Sequence, residues 1–130
     1  YKNNRADLIL AVPIHITKWQ QRGFNQAHLL AKVIAQHIEI PYDRTMLSRN
    51  RASKSQVGQT GRLRRKNLRG LFDVNLTQEK CPPEHVILID DVVTTGATAS
   101  EISRCLKLAG VKKVTVMALC LSLPIEVNLN

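Results

Sequence analysis

One stretch in the second half of the chain limits the fold more than any other feature of the sequence. Residues 86–89 are continuously apolar, Asp90 and Asp91 follow them, and a loop of small residues, 94–98, opens a segment with apolar residues at helical spacing. An uninterrupted apolar run predicts a strand buried on both faces of a parallel sheet. The order of strand, loop and helix therefore predicts an α/β fold with a central, mostly parallel sheet flanked by helices.

The loop after the two aspartates has the composition of a phosphate-binding site. Backbone N–H groups at a helix start attract a phosphate, and Gly96 lets the backbone approach it without a Cβ in the way. Because open α/β sheets bind ligands at the carboxyl ends of their strands, Asp90 and Asp91 are placed to accept hydrogen bonds from a diol. Together these groups predict a site for a ribose 5-phosphate. The predicted phosphate-binding residues are Thr94, Thr95, Gly96, Ala97 and Thr98.

This stretch resembles a known family. Residues 90–98, Asp-Asp-Val-Val-Thr-Thr-Gly-Ala-Thr, resemble the phosphoribosyl-pyrophosphate (PRPP) signature of the type I phosphoribosyltransferases. The resemblance implies that fold, with the acids binding the ribose hydroxyls and the loop binding the 5′-phosphate. It also implies that Asp90 and Asp91 are the catalytic residues and hold Mg²⁺ directly or through water. The alternative is an ordinary strand, turn and helix with a solvated pair of acids.

A second set of residues resembles the ComF/GntX branch of this superfamily. The set comprises Pro13-Ile14-His15, Lys18, Arg22-Gly23-Phe24-Asn25-Gln26, Arg49, Arg51, Ser53, Gln56, Arg64, Asn67 and Phe72. The resemblance runs from Leu10 to Leu121 and implies a role in competence for DNA uptake. Ala11 and Ser53 depart from the family pattern, in which proline and threonine are common. ComF relatives often carry an N-terminal cysteine-rich zinc-binding segment. The 130 residues contain no such segment, so no zinc is assigned, and we expect any such segment to lie upstream of them.

The loop after the first strand and the basic residues further on are candidates for the pyrophosphate of PRPP. In phosphoribosyltransferases the first loop faces that pyrophosphate, and a mobile loop closes over it. The candidates are His15, Lys18, Arg22, Arg49 and Arg51. For His15 a structural role is an equal alternative, because histidine is often partly buried and bonded to the backbone.

The positive charge of the chain is concentrated in one block. Formal net charge is +9, and no acid lies between Arg44 and Phe72. The basic residues there are Arg44, Arg49, Arg51, Lys54, Arg62, Arg64, Arg65, Lys66 and Arg69. Such a block predicts an anionic partner, whether pyrophosphate, a nucleotide or a nucleic-acid backbone, with a solvated face as the alternative. For a nucleic acid the expected contacts are Arg62, Arg64, Arg65 and Lys66.

The composition is that of an ordinary α/β domain. The 130 residues predict a single phosphoribosyltransferase-like domain over residues 1–130, without an apolar run long enough for membrane insertion. The three cysteines form no CxxC pair, so we expect small buried side chains in a reducing cytoplasm. The few aromatic residues give no recognisable pocket for an acceptor base.

The apolar pattern also places the other elements. It predicts strands at residues 8–12, 45–47, 70–74 and 113–121. It predicts helices at residues 24–38 and 97–109, and a long polar loop over residues 49–61.

Three hypotheses for function follow. The first is a ComF-type, phosphoribosyltransferase-like protein that binds PRPP or a nucleotide with Mg²⁺ and acts in DNA uptake or nucleotide metabolism. The second is a non-catalytic nucleotide-binding or adaptor module that docks competence or DNA-processing proteins. The third is a single-stranded DNA binder that uses residues 44–69. A homodimer is compatible with all three, and whether the chain turns over a substrate stays open because fold does not fix function.

Overall fold

The described part of the chain contains five strands and two helices. The computed structural model describes residues 5–14, 25–50, 68–77, 81–93 and 95–121. Within these ranges the elements are β1 (Leu8–Ala11), α1 (Gln26–Ile38), β2 (Leu47–Arg49), β3 (Phe72–Val74), β4 (His85–Val93), α2 (Ala97–Leu108) and β5 (Lys113–Leu121). The positions of β1, α1, β3, α2 and β5 agree with the sequence predictions to within about two residues, the usual uncertainty of element ends.

The main sheet is parallel, as predicted. Its strand order is β1-β4-β5, so β4 is the central strand. Ile9 lies opposite Ile87 in the β1–β4 pairing, and Ile87 lies opposite Thr115 in the β4–β5 pairing. A central strand with a helix on each face needs apolar residues on both faces, which is why the run 86–89 does not alternate.

The two helices cover opposite faces of this sheet. On one face Ile9 and Ile89 pack with Ala27 and Ala31 of α1. On the other face Leu10 and Leu88 form a core with α2, and this core includes Ile102 and Leu106. Because side chains alternate along a strand, odd-numbered residues of β1 and β4 contact α1, and even-numbered residues contact α2.

Asn25 explains where α1 begins. Its Oδ1 accepts hydrogen bonds from the N–H of Ala27 at 3.0 Å and of His28 at 3.4 Å, which caps the helix. Its Nδ2 donates to the carbonyl of Val12 at 3.3 Å, so the same side chain ties the helix start to the end of β1. The side chain of Asn25 therefore has a structural role at the start of α1.

A second, antiparallel sheet joins β2 and β3. Leu47 lies opposite Val74 and Arg49 lies opposite Phe72. The strand predicted at residues 45–47 begins later, because Asp43 Oδ1 accepts hydrogen bonds from the backbone N–H groups of Thr45 and Met46. An aspartate turn of this kind competes with strand pairing, so pairing starts only after it.

The cysteines are more exposed than the sequence predicts. Cys81 and Cys120 are exposed and Cys105 is half-buried, so the prediction of buried cysteines is wrong. Cys120 is exposed because it lies near the end of an edge strand, where few neighbours cover it.

Within the described ranges, no helix is long and apolar enough to span a membrane.

Candidate functional site

β4 extends past both of its aspartates. The sequence suggested a strand of four apolar residues followed by the acids, but the strand continues to Val93. The extension has a partner, since Ala118 of β5 lies opposite Asp90 and Cys120 lies opposite Val92. β1 ends at Ala11, opposite Ile89. The two acids therefore lie beyond the end of β1, in a part of β4 that pairs only with β5 among the described strands.

The two carboxylates lie in different surroundings. Asp90 follows Leu88 on the α2 face and is 9% exposed, whereas Asp91 follows Ile89 on the α1 face and is more exposed. Asp90 Oδ1 accepts a hydrogen bond from the N–H of Asp91 at 2.8 Å. Asp91 Oδ1 accepts one from the N–H of Val92 at 2.9 Å. Each carboxylate is thus held by the backbone that follows it.

Asp90 has a strongly shifted acidity. Burial, with a smaller contribution from the side-chain hydrogen bond with Asp91, raises the pKa of Asp90 from 3.8 to about 6. The backbone N–H of Asp91 opposes this shift. A carboxyl group that is costly to ionise gains from any ligand that brings hydrogen-bond donors or a cation to it.

At the helix start beside these acids, the amides of Thr98 and Ala99 have no partner among the described residues. Gly96 is the N-cap of α2 and has φ +77°, the left-handed conformation that favours glycine. Gly96 contributes no side-chain cap, and Thr95 Oγ1 accepts only the N–H of Ala97, at 3.3 Å. Helix geometry gives the N–H groups of Thr98 and Ala99 no partner within α2, so they point out of the first turn.

One pocket joins the acid to the helix start. It has about 240 Å³ of empty volume and is lined by Asp90, Val92, Val93, Thr95, Gly96, Ala97, Thr98 and Ala99. The structure therefore brings Asp90 together with four of the five predicted phosphate-binding residues. Asp91 is not part of this lining, because its side chain belongs to the other face of the sheet.

The pocket combines two kinds of chemistry. Outward amides and the positive end of the α2 dipole stabilise an anion. The Asp90 carboxylate accepts hydrogen bonds from hydroxyl groups or contacts a hard cation through oxygen. A small molecule that carries both a phosphate and hydroxyl groups can bind the amides with its phosphate and the Asp90 carboxylate with its hydroxyls.

Arg49 lies on the second sheet and does not line this pocket. Its guanidinium carbon is 5.8 Å from the centre of the Phe72 ring, a cation–π contact. Its Nε is buried and makes no hydrogen bond to the described part of the chain. Burial lowers the pKa of Arg49, but the group stays a cation at neutral pH.

Several predicted site residues fall outside the described residues. They are His15, Lys18, Arg22, Arg51 and Thr94, together with the nucleic-acid candidates Arg62, Arg64, Arg65 and Lys66. Their roles remain predictions.

The described residues offer a divalent cation the carboxylate oxygens of Asp90 and Asp91 but not a complete set of protein ligands. Among the described residues there is no group of three or more histidine, cysteine, aspartate or glutamate side chains that could hold a metal. Mg²⁺ is usually bound by one or two carboxylates, with the phosphates of its substrate and water as further ligands. The carboxylate oxygens of Asp90 and Asp91 fit that pattern.

The sequence did not predict a role for Glu101, which holds α2, the helix that lines the pocket, in place. It is 8% exposed on α2 and its carboxylate accepts hydrogen bonds from Arg104 Nε at 2.9 Å and from the N–H of Gly70 at 3.4 Å. The hydrogen bonds with Arg104 lower the pKa of Glu101. Glu101 thereby fixes α2 to the chain just before β3. The available signal was an acid next to Ile102 on the apolar face of a predicted helix.

The comparisons with known proteins agree with this geometry. The sequence model of the phosphoribosyl transferase domain matches residues 25–124, which include both β4 and α2 of the pocket. The chain belongs to the phosphoribosyl transferase domain family. The fold prediction made from residues 90–98 is therefore confirmed.

Two curated relatives confirm the resemblance to ComF. The chain is 35% identical to competence protein F of Haemophilus influenzae over 87% of its own length, and 36% identical to the DNA utilization protein YhgH of Escherichia coli O157:H7 over 90%. It spans about half the length of these relatives, 49% and 50%.

A solved structure supports the fold. The glutamine PRPP amidotransferase of B. subtilis, complexed with ADP and GMP, matches with a TM-score of 0.56 and 22% identity. The match covers 88% of this chain and 22% of that one.

Proposed function

We propose that this protein binds PRPP, or a related ribose 5-phosphate, with Mg²⁺, and that it acts in DNA uptake or DNA utilization. The observation that carries the proposal is the shared pocket of Asp90 and the first turn of α2. The names of the relatives, competence protein F and DNA utilization protein, support the cellular role. The three free cysteines suit the reducing cytoplasm in which we place the protein.

In this proposal the 5′-phosphate binds at the start of α2. The amides of Thr98 and Ala99 donate to its oxygens, and the hydroxyls of Thr95 and Thr98 add further donors. Gly96 offers open space on this side, since no atom lies within 4 Å of the position a Cβ would take. The ligand can therefore approach the backbone closely.

The ribose then lies across the end of β4. Its hydroxyls donate to the carboxylate of Asp90, and the partly buried position makes these charge-assisted hydrogen bonds strong. Asp91, on the other face of the strand, contributes through a metal ion or water rather than through the same pocket. When bound, Mg²⁺ stabilises the negative charge that develops on a departing pyrophosphate.

The supported reaction class is displacement of pyrophosphate from C1 of the ribose. Such a transition state resembles an oxocarbenium ion, so the chain contributes orientation and electrostatic stabilisation rather than a nucleophile. The carboxylate of Asp90 lies at the positively charged sugar, and cationic side chains suit the leaving group. The acceptor is left open, because the pocket has no aromatic lining.

Calorimetric titration tests the binding step. We expect PRPP with Mg²⁺ to bind the intact chain, and Asp90→Asn to weaken binding by roughly 10- to 100-fold through loss of charge-assisted hydrogen bonds. Equal affinity in the variant would contradict the proposal. Release of pyrophosphate that depends on an added acceptor then separates a transferase from an adaptor that only binds the nucleotide.

Charge favours a second candidate function, contact with single-stranded DNA. The basic block over residues 44–69 holds no acid, and the chain carries a net charge of +9. DNA binding of this kind falls steeply with salt and should survive Asp90→Asn. Replacing Arg64 and Arg65 by alanine should weaken it, and unchanged affinity in that variant would exclude the block as the contact.

A further inference from the structure

Among the described residues, the outer edge of β5 has no strand beside it and carries exposed apolar side chains. β5 pairs with β4 on one side, and no other described strand pairs with its outer edge. Val116 is 40% exposed, Met117 41% and Leu119 75%. Neighbouring hydrophobic side chains exposed on a free strand usually mark a contact surface.

This edge has none of the usual protection against pairing. Edge strands are commonly short or carry charges, prolines or bulges that prevent another strand from joining. β5 is nine residues long, and Lys113 at its start is its only charged residue. It contains neither proline nor glycine. As far as the described residues go, the backbone of β5 can therefore accept another strand over almost its whole length.

An exposed apolar residue of α1, Val33, lies on the same side of the sheet as Met117 and Leu119. Tyr42 pairs with Ile9 on the edge of β1 that faces away from β4, and Tyr42 OH lies 2.7 Å from His28 Nδ1 of α1. His28 therefore marks the flank of α1 that faces away from β5. Val33 lies about 140° around the helix from His28, towards β5, and is 51% exposed. Val33, Met117 and Leu119 thus lie on one side of the sheet.

We propose that a second copy of this chain pairs antiparallel with β5 across a two-fold axis, forming a continuous six-stranded sheet. This inference does not depend on the proposed ligand. In an antiparallel pair, residues directly opposite each other project on the same face. A two-fold axis perpendicular to the sheet satisfies this rule with Met117 on the axis, opposite its own copy.

The charge distribution favours a second copy in this register. Lys113 then lies opposite Leu121, so the two lysines are at opposite ends of the paired strands. The paired region between them is uncharged, which matters because each chain carries a net charge of +9. Met117 meets its own copy at the axis, and Leu119 lies opposite Thr115 of the other copy on the same face of the sheet. The edge therefore pairs with itself around the two-fold axis, as an isologous interface requires.

Sedimentation equilibrium with matched variants tests the interface. We expect the intact chain to form dimers, and Leu119→Lys to weaken them by roughly tenfold or more, because it buries an unpaired charge opposite Thr115 and beside the Met117 contact. Leu108→Lys is the control, since Leu108 on α2 is also 75% exposed but lies away from β5. Circular dichroism checks that both variants fold. A chain that stays monomeric at every concentration would overturn the proposal.

Cross-linking tests the register. In a chain whose exposed Cys81 and Cys120 are replaced by serine, Met117→Cys should form a covalent dimer under mild oxidation. Opposed residues at the axis lie within disulfide distance. Leu108→Cys in the same background measures random collisions. Cross-linking of Met117→Cys no faster than this control would overturn the proposal and indicate another occupant, such as residues 122–130 or another protein.

Discussion

At the scale of single residues, Asp90 is the centre of the site because its position conflicts with its charge. It lies on a strand end with apolar neighbours, and burial raises its pKa to about 6. The fold thus keeps a carboxyl group in a position that disfavours its charged form, and such groups are concentrated at functional sites. In the proposed complex, a sugar hydroxyl or a cation adds a further partner for this carboxylate.

The first prediction concerns pH. Because the folded-state pKa of Asp90 is raised from 3.8 to about 6, the native state binds more protons than the unfolded state between these values. The free energy of unfolding should therefore fall as pH rises through this window. Asp90→Asn should remove this loss and be the more stable protein at pH 7, while binding PRPP more weakly. Denaturant titrations across the window measure both slopes, and parallel slopes would contradict the assignment.

The second prediction compares two glycines. Gly96 and Gly70 have φ of +77° and +78°, and neither has an atom within 4 Å of the position that a Cβ would take. Alanine should destabilise both sites equally, by about 1 kcal/mol of backbone strain. Only Gly96→Ala should weaken PRPP binding, because its methyl group enters the pocket. Equal affinities of the two variants would show that the ligand does not approach Gly96.

At the scale of elements, the position of α2 decides the geometry of the pocket. Its core contacts through Ile102 and Leu106 follow from the sequence pattern. The contact of Glu101 with Gly70 does not follow, because it joins residues that are 31 positions apart. The sequence pattern did not predict the length of β4 either, because the strand continues past Asp90 only through its pairing with β5. Local patterns therefore predicted the elements and the pocket residues, but not which face each acid takes.

The third prediction tests how α2 is held. Glu101→Ala should lower the free energy of unfolding by about 1–2 kcal/mol, because it removes the hydrogen bonds that the buried Glu101 carboxylate accepts from Arg104 and from the N–H of Gly70. Glu84→Ala is the control. It removes a pair with Lys112 in which both side chains are about three-quarters exposed, and should change stability by less than about 0.5 kcal/mol. Urea denaturation compares them, and equal losses would contradict the structural role of Glu101.

At the scale of the whole molecule, the net charge of +9 acts on both proposed associations, the pairing of two chains and the binding of single-stranded DNA. Pairing of two chains brings like charges together, whereas DNA brings opposite charges. The same change in salt should therefore act on them in opposite directions.

The fourth prediction follows from this opposition. Raising the salt concentration should tighten the dimer, because screening reduces repulsion between the chains, and should loosen single-stranded DNA binding. Sedimentation and fluorescence anisotropy on one preparation measure the two constants. Both constants moving in the same direction would contradict the assignment of the apolar edge to self-association and of the basic block to DNA.

The measurement that tests the central claim most directly is a titration of the ¹⁵N-labelled chain with PRPP and Mg²⁺, followed through backbone amide resonances. We predict saturable shifts that are largest at Thr98 and Ala99 and extend to the amides around Asp90. Saturable binding that leaves these amides unchanged while shifting residues elsewhere would contradict it.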